Sequence, residues 1–417
     1  MGCKLVIRCR PALPPRIKET LGERGSCCPN SQMRIALFTP FSPEIGGGSV
    51  QFRSLLPELR DLGIEWFYLA ATSGRSQQGH WLGHPLTSRQ LLSDLCARSG
   101  FLPGSTALAR AFASRIHADL YWVVAHNEGV SLATELCAMG KRVHLTVHDD
   151  PVCMFKRSRK YRAFAPLMSR QFSGLLQSVE SVDVISPWMR DAYKQKYKID
   201  SFPVYRFVPG LPTIPFQPAA GTLTVGHIGS VYHPEPFRRF LSACQQLTRK
   251  MKIVFKVVRI GSSPEIERVA SANPQIFKNF GEQDEGKAID LLASCDFLYA
   301  MYPPDRRFQC FRQTSLPMKL STYIQAQRPI FAHTPSDSSL ASIVEKYKIG
   351  TVCTSSEESE LHHALQVLLQ KEIPRARFEE FRLDLMGPEP LQQLRAALTN
   401  VALTSTALTS AASISSA

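Results

Sequence analysis

The chain has 417 residues, 44% of them hydrophobic, and is long enough for two globular domains of about 150 to 200 residues each. Lysine and arginine number 49 against 35 aspartate and glutamate, so the formal net charge is +14, which favours an anionic partner: a phosphorylated ligand, a membrane surface or a nucleic acid. No apolar run approaches the ~18 residues that span a bilayer, and the N-terminus lacks the apolar core of a signal peptide.

The cysteines are scattered along the chain. There are 11 of them, and no two form a C-x-x-C pair. This spacing indicates neither a zinc ribbon nor a disulfide framework. We therefore expect no metal site and a reducing cytoplasmic compartment, with the protein soluble or peripheral to the inner face of the membrane.

The two ends of the chain differ from the rest. Residues 1–32 are irregular, and clear strand patterning begins only after Met33. We interpret residues 1–32 as an extension outside the fold, or as the product of an upstream start with Met33 as the true initiator. Residues 372–402 are expected to form a helical segment, and the small-residue stretch 403–417 is expected to be disordered.

Apolar runs alternate with segments of helical period over residues 33–208. Helices are expected between most of the runs, and a kink is expected at Pro57. Ser186 and Pro187 form a helix start signal, a capping hydroxyl followed by proline at the first helical position. The alternation predicts a Rossmann-like domain. Its buried strands are predicted at residues 34–41, 64–71, 119–126, 142–149 and 182–187.

Residues 209–221 interrupt this pattern, since residues 208–221 hold four prolines and almost no charge, the composition of a linker or hinge. A second α/β series follows over residues 222–371. The predicted fold class is therefore α/β, with two Rossmann-like doubly wound domains whose strand ends face each other across a cleft. Strands of the second domain are predicted at residues 222–230, 252–261, 276–281, 296–302, 329–334 and 350–354, and helices at residues 285–295 and 358–370.

A glycine triplet, Gly46, Gly47 and Gly48, lies between the first predicted strand and its helix. Glycines there let the backbone approach an anion at a helix N-terminus. A flexible turn is the alternative interpretation. The spacing is not G-x-G-x-x-G, which argues against a nicotinamide site.

Two predicted strands of the first domain end in histidines. His148 and Asp149 follow one strand, and His126 ends its neighbour. A histidine at this edge can hydrogen-bond a ligand hydroxyl or stabilise developing charge, so His148 and Asp149 are candidate catalytic residues. His126 is a candidate acceptor-lining residue or a structural one. A turn or capping cluster is the alternative for the Asp-Asp-Pro segment.

Candidate anion ligands of the second domain occupy three places. Gly229 and Ser230 form a strand-to-helix turn whose amides could bind a diphosphate, and Arg259 ends the next strand, where a salt bridge is its commoner role. Lys319 follows Pro317 in the first turn of a predicted helix, where the helix dipole disfavours a cation. A bound phosphate would remove that penalty. A surface lysine is the alternative.

In chain order, several of these segments resemble GT-B glycosyltransferases of the large family 4 type. They are RIALFTPFSPEIGGGSVQFRSLLPELRDLG, VHLTVHDDP, VDVISPWMRDAYKQKY, VGHIGSVYHPE, FGEQDEGKAIDLLASCDFLYAM and LPMKLSTYIQAQRPIFA, spread from about Met33 to about Gln370. The resemblance implies a retaining hexosyltransferase that moves a sugar from a nucleotide-sugar donor to a glycan or glycolipid acceptor. It also implies that no metal or other cofactor is obligatory.

The resemblance assigns the donor to the second domain and the acceptor to the first. It matches His148 to the family's N-domain active-site histidine, and Gly47 and Gly48 to the segment that approaches the donor phosphates. Family members often carry two glutamates eight residues apart in the last donor motif, where this chain has Thr314 and Thr322. A hydroxyl can accept a ribose hydrogen bond, but without the charge assistance of a carboxylate.

The basic pair that the family commonly has after its C-domain glycine is absent here. Lys319, Arg259 or Arg312 is expected to compensate. These departures keep two alternatives open: a catalytically silent GT-B relative that acts as a binding or scaffold subunit, and a GT-B sugar-nucleotide epimerase. For the transferase, the expected role is synthesis of a cell-surface polysaccharide or glycolipid.

A basic cluster, KRSRKYR at residues 156–162, follows the strand that carries His148. Such a surface would meet anionic lipid head groups, and a solvated helix face is the alternative interpretation. No nucleic-acid partner is expected, because no recognised nucleic-acid module is evident.

Overall fold

The structure is a computed structural model that describes residues 33–44, 47–70, 79–85, 87–98, 112, 114, 116–126, 128–214, 220–261 and 263–399. These residues belong to one unit, Met33–Ala417. The predicted extension 1–32, the predicted tail 403–417 and Gly46 lie outside the described residues.

The N-terminal lobe is built on a parallel sheet of seven strands in the order β3-β2-β1-β4-β5-β6-β7. The strands are β1 Ile35–Thr39, β2 Ile64–Leu69, β3 His80–Gly83, β4 Leu120–Val124, β5 Val143–Val147, β6 Ser181–Val184 and β7 Phe202–Pro203. Its α-helices are α1 Gly47–Leu55, α2 Ser88–Arg98, α3 Glu128–Ala138, α4 Pro151–Arg157, α5 Ala165–Leu176 and α6 Pro187–Tyr197.

The C-terminal lobe has a parallel sheet of six strands in the order β10-β9-β8-β11-β12-β13. The strands are β8 Thr222–Ile228, β9 Val254–Ile260, β10 Phe277–Asn279, β11 Phe297–Met301, β12 Ile330–His333 and β13 Gly350–Cys353. The helices that follow Thr222 are α7 Pro234–Met251, α8 Pro264–Ser271, α9 Glu285–Ala293, α10 Gln309–Thr314, α11 Lys319–Ala326, α12 Ser339–Tyr347, α13 Glu358–Leu369, α14 Arg375–Met386 and α15 Pro388–Thr399.

The predicted α/β class with two doubly wound sheets is confirmed. Every predicted strand has its counterpart, and the Ser186 hydroxyl accepts a hydrogen bond from the Met189 N–H at the start of α6, at 3.0 Å. The α-helix before Pro57 ends at Leu55 and continues as a 3-10 helix, because a proline cannot donate to the α-helical ladder.

The helix that carries Lys319 begins later than expected. It starts at Lys319 itself, and the preceding residues from Ser315 to Met318 form the connection from α10. The first N–H groups of α11 are not capped by a side chain, although the Leu320 N–H donates to the Pro317 carbonyl at 2.9 Å. The apolar face of the helix is fully buried, as its sequence predicts, and consists of Leu320, Tyr323 and Ile324.

The chain returns to the N-terminal lobe at its end. Helix α15 packs Leu394 and Leu398 into the same buried cluster as Phe52 and Trp122, and Arg395 forms an ion pair with Asp61. The predicted linker contacts α14, since the Arg375 guanidinium donates a hydrogen bond to the Leu211 carbonyl at 2.7 Å. The predicted domain boundaries themselves stay a prediction. Among the described helices, none has the length and apolar character needed to cross a bilayer.

Candidate functional site

His148 lies just past the end of β5 in an aromatic environment. Its ring is 6.1 Å from the Phe41 ring and 5.5 Å from the Phe52 ring, centroid to centroid. The buried Nε2 atom has no hydrogen-bond partner among the described residues. Burial, and secondarily the neighbouring His126, lowers the pKa of His148 to about 3, so the imidazole is neutral at physiological pH.

Gly48, in the first turn of α1, lies close to this histidine. A Cβ atom added at Gly48 would lie 2.9 Å from Cζ of Phe41 and 3.4 Å from Nδ1 of His148. A Cβ atom would therefore have to displace the Phe41 ring, whereas its distance to His148 is an ordinary contact. The structure thus brings together Gly48 and His148, two of the residues that the sequence predicts for the site.

Asp149 points across to the C-terminal lobe. Its carboxylate accepts a hydrogen bond from the Ser315 hydroxyl at 2.7 Å, over a sequence separation of 166 residues. The capping role that was the alternative for the Asp-Asp-Pro segment applies to Asp150. Its carboxylate caps α4 by accepting a hydrogen bond from the Cys153 N–H at 2.9 Å. His126 lies near both catalytic candidates. Burial lowers its pKa, and the charge of Asp149 opposes that shift.

Lys319 points back toward the end of β8. Its ammonium donates to the Ser230 carbonyl at 2.7 Å and lies 6.0 Å from the centroid of the Tyr232 ring. Burial lowers the pKa of Lys319 to about 7. No ion pair to a carboxylate is formed by Lys319 among the residues that the structure describes, so its positive charge is available to an anion.

The two threonines differ in what they do. The Thr314 hydroxyl donates to the Cys310 carbonyl one turn earlier in α10, at 2.8 Å, and the Thr314 carbonyl accepts from the Ser186 hydroxyl of the other lobe. Thr322 is buried in α11, one turn after Lys319 and on the same side of the helix.

Three other predicted donor ligands are engaged within the protein. Arg259 is 2% exposed and pairs with Glu267, and Arg312 holds Asp337 through two nitrogens at 2.7 and 2.9 Å. Gly229 has φ of +72°, which suits glycine, and its N–H donates to the Ile260 carbonyl at 3.0 Å. Of the three cations expected to compensate for the missing basic pair, Lys319 is therefore the one not committed to a carboxylate.

Sequence reasoning missed two residues at this place. Tyr232 packs on Tyr302 and Phe311, and burial followed by the charge of Asp149 raises the pKa of its phenol, which therefore stays protonated. Arg157, assigned from the sequence to the basic surface, stacks on the Phe311 ring at 4.8 Å. No local signal in the sequence distinguishes either residue, because Tyr232 depends on long-range packing within the C-terminal lobe and Arg157 on how the lobes meet.

The cysteine spacing indicates no disulfide framework, but the structure has a disulfide. Cys153 of α4 and Cys310 of α10 are bonded, with Cα atoms 5.7 Å apart and a sequence separation of 157 residues. The pair joins one lobe to the other beside Asp149 and Thr314. Spacing in the sequence cannot indicate such a pair, since the fold alone brings the two helices together.

Two cavities lie away from this place. One, of 420 Å³, lies between α3 and α5 and is lined by Thr134, Arg170 and Gln171. The other, of 650 Å³, lies beside α12, β13 and α14 and is lined by Lys348, Lys371 and Arg377. Neither cavity contains a residue that the sequence predicts for the site.

The structure is similar to several solved glycosyltransferase structures. Sucrose-phosphate synthase from Thermosynechococcus elongatus matches with a TM-score of 0.58 at 14% identity, covering 91% of this chain and 100% of that one. The chain therefore has the GT-B glycosyltransferase fold. The spinosyn rhamnosyltransferase SpnG, complexed with thymidine diphosphate, matches with a TM-score of 0.53 at 13% identity, covering 87% of this chain and 99% of that one.

An enzyme of another class has the same architecture. The putative UDP-N-acetylglucosamine 2-epimerase from Listeria monocytogenes matches this GT-B chain with a TM-score of 0.55 at 10% identity, covering 88% of this chain and 96% of that one. No protein-family model matches the chain, and no curated protein matches it by sequence.

Proposed function

We propose that the protein is a glycosyltransferase that moves a sugar from a nucleotide-sugar donor to a glycan or lipid-linked acceptor, with retention of anomeric configuration. The observation that carries this proposal is the pairing, in a GT-B fold, of a neutral histidine with a cation that no described carboxylate neutralises. His148 follows β5 of one lobe, and Lys319 opens α11 of the other. A neutral histidine can hydrogen-bond the hydroxyls of a sugar, and a cation can bind the negative charge of a diphosphate.

The donor diphosphate would bind at the start of α11. The first N–H groups of that helix have no side-chain cap, although those of Leu320 and Ser321 donate to the Pro317 and Met318 carbonyls at 2.9 and 3.2 Å. The ammonium of Lys319 would therefore be the main attraction for the anion. Lys319 would exchange the Ser230 carbonyl for phosphate oxygens and regain its ordinary pKa beside the negative charge. The complex of SpnG with thymidine diphosphate supports a nucleotide diphosphate as ligand of this fold.

His148 and Gly48 would hold the sugar. The unpartnered Nε2 of the neutral imidazole can hydrogen-bond a sugar hydroxyl, and the absence of a side chain at Gly48 leaves the backbone close to the His148 ring. Negative charge that develops on the leaving diphosphate would be stabilised by Lys319 and main-chain N–H groups. We propose no obligatory metal, because these groups supply the stabilisation that magnesium gives elsewhere.

Two observations favour other functions. The Thr314 hydroxyl is used inside α10, which weakens its role as a ribose ligand and supports a silent relative that binds without transfer. The structural match to the 2-epimerase supports an enzyme that acts on the nucleotide sugar without an acceptor. A transferase releases the nucleotide only when acceptor is present, whereas an epimerase changes the sugar in its absence.

The test is a thermal-shift screen of the full chain with UDP, GDP, ADP and TDP, on wild type and on Lys319→Ala. A ligand that binds the folded state raises the melting temperature, and the rise should be much smaller in the variant. Incubation of the nucleotide sugar of the best base with and without glycan acceptors then separates transfer from epimerisation. If no nucleotide raises the melting temperature of the wild type, the proposal is refuted.

The site of action is proposed to be the cytoplasmic side of a membrane that holds the acceptor. The basic cluster exposes Lys156, Arg159, Lys160 and Arg162, and its fifth cation, Arg157, turns toward the other lobe. Each exposed cation near an anionic surface contributes about 1 kcal/mol to membrane binding. The role in polysaccharide or glycolipid synthesis is part of the same proposal.

A further inference from the structure

The two lobes meet along a seam that lies next to the candidate site. We define the seam by three contacts: the Cys153–Cys310 disulfide, the hydrogen bond from Ser315 to Asp149, and the hydrogen bond from Ser186 to the Thr314 carbonyl. All three join a residue after a strand of the N-terminal lobe to the segment 310–315.

The non-covalent contacts of the seam are the two hydrogen bonds and the stacking of Arg157 on Phe308 and Phe311, at 5.3 and 4.8 Å. Outside the seam, the lobes are also joined by the Tyr205 hydroxyl, which donates to the Pro317 carbonyl at 2.6 Å, and by the ion pair of Arg206 with Glu285. Contacts of this kind each contribute about 1 kcal/mol and break on the timescale of domain motions. The disulfide is different in kind, since a covalent bond holds the seam closed for as long as it is oxidised.

The positions of the two cysteines allow a reversible bond. Their Cα separation of 5.7 Å lies in the range of ordinary disulfides. Cys153 is 4% exposed, whereas Cys310 is half-buried, so Cys310 is the more exposed of the two residues. In a reducing compartment, the disulfides that do form are usually transient and either catalytic or redox-sensing.

Several of the other described cysteines are poor competitors. Cys295 is buried, and burial raises the pKa of its thiol to about 12, while burial raises the pKa of the Cys137 thiol to about 11. A thiol with a raised pKa forms little thiolate and exchanges slowly. Disulfide exchange at Cys295 and Cys137 is therefore slow.

We propose that Cys153 and Cys310 form a redox modification site, a disulfide that a dithiol reductant opens and that controls whether the two lobes can separate. In the oxidised protein the seam stays closed, so bound nucleotide cannot leave and free nucleotide cannot enter. In the reduced protein nucleotide can bind and dissociate. The effect on nucleotide rests on the proposed function, whereas the effect on the lobes does not.

The chemistry is a thiol–disulfide exchange. A thiolate of the reductant attacks Sγ of Cys310, the bond to Cys153 breaks, and Cys153 leaves as a thiolate that takes up a proton. The second thiol of the reductant then attacks the reductant's first sulfur, which is bonded to Cys310 in the mixed disulfide. That bond breaks, and Cys310 is released as a thiol. Two electrons and two protons pass to the protein, and the reductant becomes a disulfide.

The first measurement is independent of any nucleotide. The full chain is equilibrated with oxidised glutathione or with dithiothreitol, alkylated and digested, and a peptide pair linked through Cys153 and Cys310 is expected only after oxidation. Small-angle scattering of the same samples should give a larger radius of gyration after reduction. Cys153→Ser should have the larger radius in both conditions, and Cys137→Ser, a control outside the seam, should behave as wild type.

The second measurement follows the exchange of UDP and TDP. Their dissociation from oxidised wild type should be at least tenfold slower than from reduced wild type, and the rate in Cys153→Ser should not depend on the redox state. Cys310→Ser provides the same comparison if Cys153→Ser does not fold.

Absence of the linked peptide in oxidised, folded protein overturns the proposal. Equal radii of gyration for the oxidised and reduced wild type also overturn it. If neither nucleotide binds, the proposed function fails while scattering still decides the redox site.

Discussion

The two sheets present different chemistry at their carboxyl edges. At the edge of the seven-stranded sheet, His148 is surrounded by aromatic rings, and burial lowers its pKa to about 3. At the edge of the six-stranded sheet, Lys319 keeps its ammonium against a carbonyl and a tyrosine ring, with a pKa of about 7. One edge is thus built around a neutral donor or acceptor, and the other around a cation.

This difference indicates that the two edges bind different parts of the donor. A neutral imidazole discriminates hydroxyl positions and does not attract a diphosphate, whereas an ammonium at a helix start does the reverse. The two edges are joined by the hydrogen bond from Ser315 to Asp149, so closing the lobes would bring a sugar and its phosphate to the same place. Substitutions at each edge should therefore affect different kinetic parameters.

The largest effect is expected for His148→Ala. Because the imidazole would act on the reacting sugar, kcat for transfer should fall by about 10²–10³-fold with little change in the Kd of the nucleotide diphosphate. His126→Ala is the matched control and should lose much less. Steady-state kinetics together with calorimetry measure both values. A loss of nucleotide affinity that equals the loss of kcat would contradict the division between the edges.

The opposite pattern is expected for Lys319→Ala. Loss of a charge-assisted contact should raise the Kd of the nucleotide diphosphate by about 10–100-fold. Lys319→Arg retains a cation and should keep most of the affinity, so it controls for the loss of packing. Calorimetric titration of the three proteins decides the matter. Equal affinity of wild type and Lys319→Ala for the nucleotide diphosphate would show that Lys319 does not bind it.

Gly48→Ala tests the close approach of the first turn of α1 to Phe41 and His148. The added methyl would lie 2.9 Å from the Phe41 ring, and overpacking of this kind costs about 1–3 kcal/mol. The melting temperature should fall by several degrees, and transfer should fall with it. Gly174→Ala in α5 is the control, because a Cβ atom there meets nothing within 4 Å. Identical melting temperatures for the two variants would show that this turn tolerates a side chain.

The smallest effects are expected on the basic cluster. Lys156→Gln and Arg159→Gln remove exposed cations, and each should weaken binding to phosphatidylserine vesicles by about fivefold, which corresponds to about 1 kcal/mol. Lys250→Gln, in the last turn of α7, removes an exposed cation elsewhere and should have little effect. Vesicle sedimentation at two salt concentrations gives the comparison. Equal binding by all variants would leave the cluster as a solvated helix face.

Much of the fold follows from local pattern. Continuous apolar runs predict the buried parallel strands, and Ser186 with Pro187 predicts the start of α6. β3 was not predicted, because His80–Gly83 is short and only partly buried, so it lacks a strong apolar pattern.

The site is harder to predict. The end of β5 places His148 at a sheet edge, and Pro317 places Lys319 near a helix start, but local pattern does not determine which residues meet across the lobes. The contact of Asp149 with Ser315 and the pair of Cys153 with Cys310 span 166 and 157 residues, and they exist only once both sheets have formed and docked.

The most direct test of the account is the pH dependence of nucleotide diphosphate binding. In the free protein Lys319, with a pKa of about 7, loses its proton as the pH rises through 7, whereas a bound diphosphate should hold the ammonium protonated. Binding above pH 7 should therefore take up a proton, and the Kd should rise by up to about tenfold per pH unit between pH 7 and 9.

Calorimetry in two buffers of different ionisation enthalpy measures both quantities, with Lys319→Arg as the control that should show neither. Proton uptake in the wild type that is absent from Lys319→Arg is the predicted result. A Kd that does not change between pH 7 and 9 in the wild type would contradict the claim that Lys319 binds the diphosphate.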